Sequence, residues 1–422
     1  MKRRTWVIVL LALLLIGTNF YSYSIGKNAG ESTNPLKHDA IAKKTPEEKK
    51  GDGKTATKEK ETEFLDKKTM RTLEVMVKRI HGDYYKDVDN DLLNEGVLRG
   101  VAQSLKDPYT VFMTAEEYKD FYQSTEGKYC GVGIIVTPGD DGMITVVAPI
   151  KDTPAFKAGI KTGDKILKVD GVEFTADQMQ DAVHKMRGEE GKEVQLTILR
   201  KGKESNDILD FVIKREIIKL ETVDGRMLEK GLGYISISEF DQPTYKDFVA
   251  VYKRLKKEGM ERLILDLRGN PGGLLNVCAD VADLFLDKGV IVYTKYKNGE
   301  KDYYYSDNAK EEIPLVVLVN EGTASASEIV SGALQDRKRA KIIGTTTFGK
   351  GIVQRIFDLP DKQALKITVS EYFTPKDRNI HKKGIEPDIK VELNDDVKQI
   401  GPDVLDQDNQ LQKAIEVIKG EK

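Results

Sequence analysis

The chain has 422 residues and a formal net charge of -2, so no charge excess draws it as a whole toward nucleic acid. That length suits two to four domains with sizeable cores. Gly and Pro, at 36 and 13 residues, occur at ordinary frequencies, and there is no internal repeat. Cys130 and Cys278 lie in separate apolar segments and read as buried free thiols rather than a disulfide.

Residues 1–26 open on Met1-Lys2-Arg3-Arg4 and continue as a mostly apolar, uncharged run from Trp6 to Gly26. Its core, Val7 to Ile16, has the length of a signal-peptide h-region. The run then extends through Tyr23 and Ile25, long enough to span a bilayer, and no Ala-x-Ala cleavage site follows. It reads as an uncleaved signal anchor, with a cleaved signal as the alternative. The basic flank stays cytoplasmic by the positive-inside rule. The expected location is a bacterial cell membrane, single-pass, with the body of the protein extracytoplasmic. Residues 27–62, rich in Lys, Glu, Asp, Thr and Gly without apolar period, read as a flexible linker.

Residues 63–126 carry a helical period. Leu65, Met70, Leu73, Met76, Val77 and Ile80 give a first helix, and Leu92 to Ala102 a second that ends near Asp107-Pro108-Tyr109.

Residues 127–216 carry Gly131-Val132-Gly133-Ile134, Val146-Val147-Ala148-Pro149, Thr153-Pro154-Ala155 and Ala158-Gly159-Ile160 running to Val169-Asp170-Gly171. The series resembles a PDZ domain. The resemblance implies that Gly131, Val132, Gly133 and Ile134 offer backbone N–H groups to a terminal carboxylate while a strand edge accepts the peptide. A folded spacer that binds nothing is the competing reading. Arg187 lies just past the second helix of this segment and reads either as a solvent-facing helix end or as a charged gating link to the next domain.

Residues 217–422 alternate strands with helices. Strand Arg262 to Leu267 runs into Arg268-Gly269-Asn270-Pro271-Gly272-Gly273, followed by a helix from Val277 to Leu286. Strand Ile313 to Val319 runs into Asn320-Glu321-Gly322-Thr323-Ala324-Ser325-Ala326-Ser327-Glu328, with a helical pattern beginning near Ser327. A strand-to-helix turn of small residues can present a hydroxyl beside free N–H groups. An ordinary capping box with Ser325 or Thr323 at the N-cap fits the same letters. Downstream come Phe348-Gly349-Lys350-Gly351 and Gln354, then the polar run Lys376 to Lys383, which reads as a solvated loop. Gly384-Ile385-Glu386-Pro387-Asp388 and a last helix from Gln410 to Ile418 close the chain.

Together these stretches resemble the C-terminal processing peptidases (tail-specific proteases), serine peptidases with a Ser–Lys dyad. The resemblance covers roughly residues 65–420. It implies Ser325 as nucleophile, Lys350 as general base and Gln354 as the residue that orients the lysine. The oxyanion donors would be the N–H of Gly272, or less readily Gly273, with that of Ala326. Asp336 matches a supportive position. The fold expected is an α/β peptidase core, crotonase/ClpP-like, with a PDZ domain, an N-terminal helical region and a transmembrane anchor. Protein C-terminal tails are the partners implied, and relatives can dimerise through the helical region.

A lysine with pKa of about 10.4 is charged at pH 7, so service as a base requires burial, which lowers such a pKa by ~3 units or more. A Ser-His-Asp triad competes, but none of His38, His81, His184 and His381 has a motif tying it to Ser325. There is no His-Glu-x-x-His and no Cys cluster, so neither a metal nor any other cofactor is expected. A membrane-tethered PDZ adaptor with a silent peptidase body is the alternative from another class of function.

Overall fold

The computed structural model describes residues 66–420 except 140, 203–205, 308–309, 395–396 and 398. The anchor expected in residues 1–26 and the linker in 27–62 lie outside the described residues. Among the described residues no helix is long and apolar enough to cross a membrane.

The chain divides into two units, one within Ser22–Val101 and one that includes Ala102–Lys422. In the first, the Asp66 carboxylate accepts the Thr69 N–H at 2.6 Å and caps helix α1 (Lys67–Asp83). Helix α2 (Asn90–Gln103) follows. Apolar side chains recur at helical spacing in both helices, yet Met70, Val75, Met76, Leu92, Val97 and Leu98 are exposed.

The second unit begins with a departure from the sequence expectation. Val111–Met113 form strand β1, paired antiparallel with β18 (Ala364–Phe373), inside the stretch 63–126 that was expected to be a helical region. Three residues carry no period, so only the distant partner strand decides their state. Helix α3 (Ala115–Thr125) then starts in a capping box, Thr114 and Glu117 each accepting the other's N–H.

Strands β2 (Lys128–Gly131) and β9 (Glu216–Lys219) pair antiparallel and bracket a sheet ordered β3–β4–β5–β7–β8, with β6 (Val172–Glu173) on β5. Its strands are β3 (Ile134–Pro138), β4 (Ile144–Pro149), β5 (Lys165–Val169), β7 (Glu193–Lys201) and β8 (Asn206–Lys214). Helices α4 (Pro154–Ala158) and α5 (Met179–Met186) close a core around Ile144, Ile166, Leu196 and Ile198.

The remaining residues build a layered α/β body. Its main sheet runs β10 (Val223–Glu229), β11 (Leu232–Ile237), β12 (Arg262–Asp266), β15 (Leu315–Val319), β16 (Lys341–Gly344), β19 (Ile389–Lys390). All neighbours from β11 onward are parallel. Parallel strands covered on both faces bury every residue, and alternation then sorts side chains between two cores. Leu263, Leu265, Leu315, Val317 and Val319 face α6 (Thr244–Lys257), α7 (Leu275–Asp283) and α8 (Ala326–Asp336). Ile264, Val316, Leu318 and Ile343 face the last helix, α9 (Asn409–Gly420), through Leu411, Ala414 and Ile418. Each such buried aliphatic contributes about 1.5–3 kcal/mol over an exposed one. A second sheet, ordered β1–β18–β13–β14, carries β17 (Ile352–Asp358) on β18; its other strands are β13 (Gly289–Tyr296) and β14 (Lys301–Ser306).

Candidate active site

Parallel neighbours β12 and β15 end side by side, so the turns that follow them meet at the carboxyl edge of the main sheet. Short polar side chains lace the two turns together. Asn320 Oδ1 accepts the Gly269 N–H at 2.8 Å, and Thr323 Oγ1 donates to the Leu267 carbonyl at 2.8 Å. The Ala324 N–H and Ser327 Oγ both donate to the Asn270 carbonyl, at 2.9 and 3.1 Å. Thr323 is therefore a fastening, and the residue at the helix start is Ser325.

Ser325 sits at φ 53°, ψ -116° directly before α8. A non-glycine residue in that region carries about 1–3 kcal/mol of backbone strain, which persists only where the surroundings impose it. They do so here through Glu328, one turn into α8 and fully buried. Its Oε2 accepts the Ser325 N–H at 2.9 Å and also the Lys350 N–H at 2.8 Å. Its Oε1 accepts the Gly349 N–H at 2.8 Å and the Thr347 hydroxyl. One carboxylate thus holds the backbones of Ser325 and Lys350 together. Burial pushes its pKa up, against the pull of these donors.

Lys350 is 1% exposed, and its amine lies 4.6 Å from the centroid of the Tyr109 ring. Among the described residues its amine forms no ion pair. Burial, reinforced by the charge of Lys366, pushes it down to about 7, with Glu328 and Asp107 pulling the other way. The flanking glycines are needed for close approach of backbone. A Cβ on Gly349 would come within 2.9 Å of the Lys383 and Gly384 nitrogens, and one on Gly351 within 2.6 Å of the His381 nitrogen. The loop expected at 376–383 keeps Lys376, Asp377, Lys382 and Lys383 exposed, but Ile380, 2% exposed, and His381 depart from a solvated loop and pack inward, His381 on the lysine turn. His381 itself is half-buried, with Nδ1 lacking a partner, and burial lowers its pKa.

Gln354 is 3% exposed and follows the register shift between Val353 and Gln354 in the β17–β18 ladder. Such a bulge re-aims a side chain. Its Nε2 has no hydrogen-bond partner, and the residue lines one cleft with Ser325, Ala326, Gly273 and Tyr372. The Tyr372 hydroxyl donates to the Ser325 carbonyl at 3.1 Å.

The glycine pair differs in one respect from the sequence expectation. Gly272 has φ +115°, and a Cβ there would meet Ser325 Cβ at 2.8 Å and the Ala326 nitrogen at 3.0 Å. Its N–H, however, donates to Asn270 Oδ1 at 2.8 Å. The Asn270 amide is turned that way because its Nδ2 donates to the Ile237 carbonyl. The N–H groups of Gly273 and Ala326 have no acceptor among the described residues. Asp336 lies at the far end of α8, where it accepts the Lys376 N–H and pairs with Arg378 at 2.6 Å, away from Ser325.

Gly131, Val132, Gly133 and Ile134 line a second cavity of about 210 Å³ with Ile150, Val183, Met186 and Leu220. Gly133 has φ +81° and no room for a side chain beside Thr153. Arg187 borders the same cavity, its guanidinium 5.0 Å from the Tyr129 ring centroid and its Nε buried without a partner. It is therefore packed in a wall rather than extended into solvent.

Sequence reasoning missed two groups. Glu328 was visible only as the fourth letter of a capping box. Arg268 is fully buried between Asp266 and Asp408, at 2.6 and 2.8 Å, and nothing local announces a partner so far along the chain.

Peptidase family S41 matches residues 231–391, a PDZ domain matches 130–207, and the "Activating protease CtpB N-terminal domain" matches 30–117. The chain is 41% identical over 322 residues to the carboxy-terminal processing protease CtpA of Bacillus subtilis, covering 76% of this chain and 68% of the relative. It is 42% identical over 334 residues to a carboxy-terminal-processing protease of Bartonella bacilliformis, covering 77% and 76%. A putative S41 protease of Bacteroides fragilis shares the fold, with TM-score 0.52 and 16% identity over 80% of this chain and 91% of that one. A strained serine turn beside a buried lysine, on a chain this close to its relatives, leads to one assignment: the chain belongs to peptidase family S41, as a serine peptidase of the carboxy-terminal processing group.

Proposed function

We propose that the chain is a serine endopeptidase that recognises and cleaves the C-terminal tails of extracytoplasmic proteins through a Ser325–Lys350 dyad. The observation that carries this reading is the Lys350 amine, buried and pushed down to about 7, with its backbone held beside the Ser325 turn by one carboxylate. The neutral amine takes the Ser325 Oγ proton as the oxygen attacks the scissile carbonyl. The resulting oxyanion is met by the N–H of Ala326 and that of the glycine pair. Since the Gly272 N–H is engaged by Asn270, Gly273 supplies the second donor unless that bond opens on substrate binding. Lys350 then returns the proton to the leaving amine, and water hydrolyses the acyl-enzyme. Gln354, neutral and lacking a partner at Nε2, orients the amine without restoring its charge.

The cavity at Gly131–Ile134 captures the terminal carboxylate and the last apolar side chain of the tail, with Arg187 in its wall as the gating contact. Residues 1–26 anchor the chain in the membrane, and the exposed apolar faces of α1 and α2 support self-association there. The parallel core flanked by helices supports a crotonase/ClpP-like description.

The test is cleavage of tail peptides ending in a free carboxylate or an amide. Ser325→Ala and Lys350→Ala are expected to lose cleavage at least about a thousandfold while folding is retained. The amidated peptides should be cut at least about tenfold less efficiently. Retained cleavage in either variant rejects the dyad, and equal use of both peptides rejects carboxylate capture.

A further inference from the structure

The turn Asp107-Pro108-Tyr109-Thr110 stands far ahead of the serine and lysine in the chain, and the chemistry above makes no use of it. Its central carboxylate, Asp107, accepts the Tyr109 N–H at 3.0 Å, the Thr110 hydroxyl at 2.6 Å and the Thr368 hydroxyl at 2.6 Å. The Thr110 hydroxyl in turn accepts the Thr368 N–H at 3.2 Å. Both threonines therefore tie the turn to β18, and β1 continues the attachment as a strand. What this mount carries is the Tyr109 ring, 4.6 Å from ring centroid to the Lys350 amine. Helix α3 repeats the arrangement, with the Phe121 ring 5.5 Å from the amine of the buried Lys366.

Resting on Lys350 as the base, we propose that Tyr109 is a positioning residue of the peptidase: its ring is the wall that keeps water off the Lys350 amine and sets the direction of its lone pair. An amine that turns hydrogens toward a π face carries its lone pair on the opposite side. A ring face also attracts an ammonium, which opposes deprotonation. The two effects are separable because burial leads the causes that push Lys350 down. The groups facing this amine are Lys366 from β18, which also pushes it down, and Glu328 from α8 with Asp107 from the turn, which pull it up. Asp107 is occupied by three donors. The Tyr109 phenol is held above its usual range by burial, so it stays neutral and is no competing base.

The experiment compares kcat/KM against pH, from 6 to 10, for cleavage of a tail peptide by the folded enzyme and its Tyr109 variants. Tyr109→Ala is expected to move the acidic limb up by about one pH unit, giving a loss of about tenfold at pH 6.5 that disappears by pH 9. Tyr109→Phe and Tyr109→Leu restore the cover and are expected to retain the wild-type limb. A limb in Tyr109→Ala that coincides with wild type overturns the proposal, as does a loss of the same factor at every pH. Where Tyr109→Ala does not fold, Tyr109→Asn brings a polar side chain and water to the same place, and an unmoved limb there is equally fatal. Lys350→Ala, measured alongside, separates the two levels. If it still cleaves, the base assignment has failed; if it is dead while the Tyr109→Ala limb is unmoved, only the role of Tyr109 has.

Discussion

At the scale of single residues, the lysine proposed as the base is a cost to the fold. An ordinary lysine titrates at 10.5, and in the folded chain burial brings Lys350 down to about 7. Below pH 7 the unfolded and folded forms are both protonated, and the full difference of about 5 kcal/mol weighs against folding. Between the two values the unfolded state binds the extra proton, so stability rises with pH across that window. Replacing the amine with a thioether of similar length removes the burden. Lys350→Met is therefore expected to raise stability by about 2–4 kcal/mol at pH 6, with the gain shrinking steadily toward pH 10. Urea unfolding at several pH values measures this, and an unchanged or lower stability at pH 6 contradicts a desolvated amine. On the proposed dyad the same change is expected to abolish cleavage, so activity and stability would move in opposite directions at one atom.

At the scale of elements, the site depends on two turns that no regular secondary structure would produce. Ser325 holds a positive φ because Glu328 takes its N–H from within α8, while Thr323 and Asn320 fasten the approach. Gly272 sits at φ +115°, and any side chain there would meet Ser325 Cβ at 2.8 Å, so both its conformation and its surroundings require glycine. Gly272→Ala is expected to lower kcat at least about a hundredfold and to destabilise by about 1–3 kcal/mol. Steady-state kinetics with a thermal melt test this, and a variant with wild-type kcat shows that the space is not used. Gln354 illustrates the same scale differently. It lies on a strand, but the register shift beside it turns the amide toward the serine cleft.

At the scale of the whole molecule, remote segments are held to the site by buried polar contacts. Arg268, at the start of the glycine turn, is 0% exposed at its side chain and ties β12 to the approach to α9 through Asp408. Without Asp408, Arg268 stays paired with Asp266, but its Nη atoms lose an acceptor and the buried N–H groups of Gly401 and Leu411 lose theirs. Asp408→Ala is expected to cost about 1–3 kcal/mol, read by denaturant midpoint, and an unchanged midpoint means that water or relaxation replaces these bonds. The two-stranded β2–β9 ribbon borders the cavity at Gly131–Ile134, and its Tyr129 ring packs against Arg187 in that cavity's wall.

The sequence by itself determined what short stretches of backbone can encode. The glycine pair at 272 and 273 marked a strand-to-helix turn, small residues marked the turn at 325, and a lysine serving as a base required burial. Family membership was legible in the same places. Only the tertiary structure decided which distant groups those turns would meet. It made strand β1 from three residues without a pattern and gave the Gly272 N–H to Asn270. It also packed His381 where a solvated loop was expected, and set Glu328 and Tyr109 around the serine and lysine. The reason is physical: a turn is governed by the conformational limits of a few consecutive residues. A contact between β18 and residue 107 depends instead on sheet register and on two cores closing at once, which no local window contains.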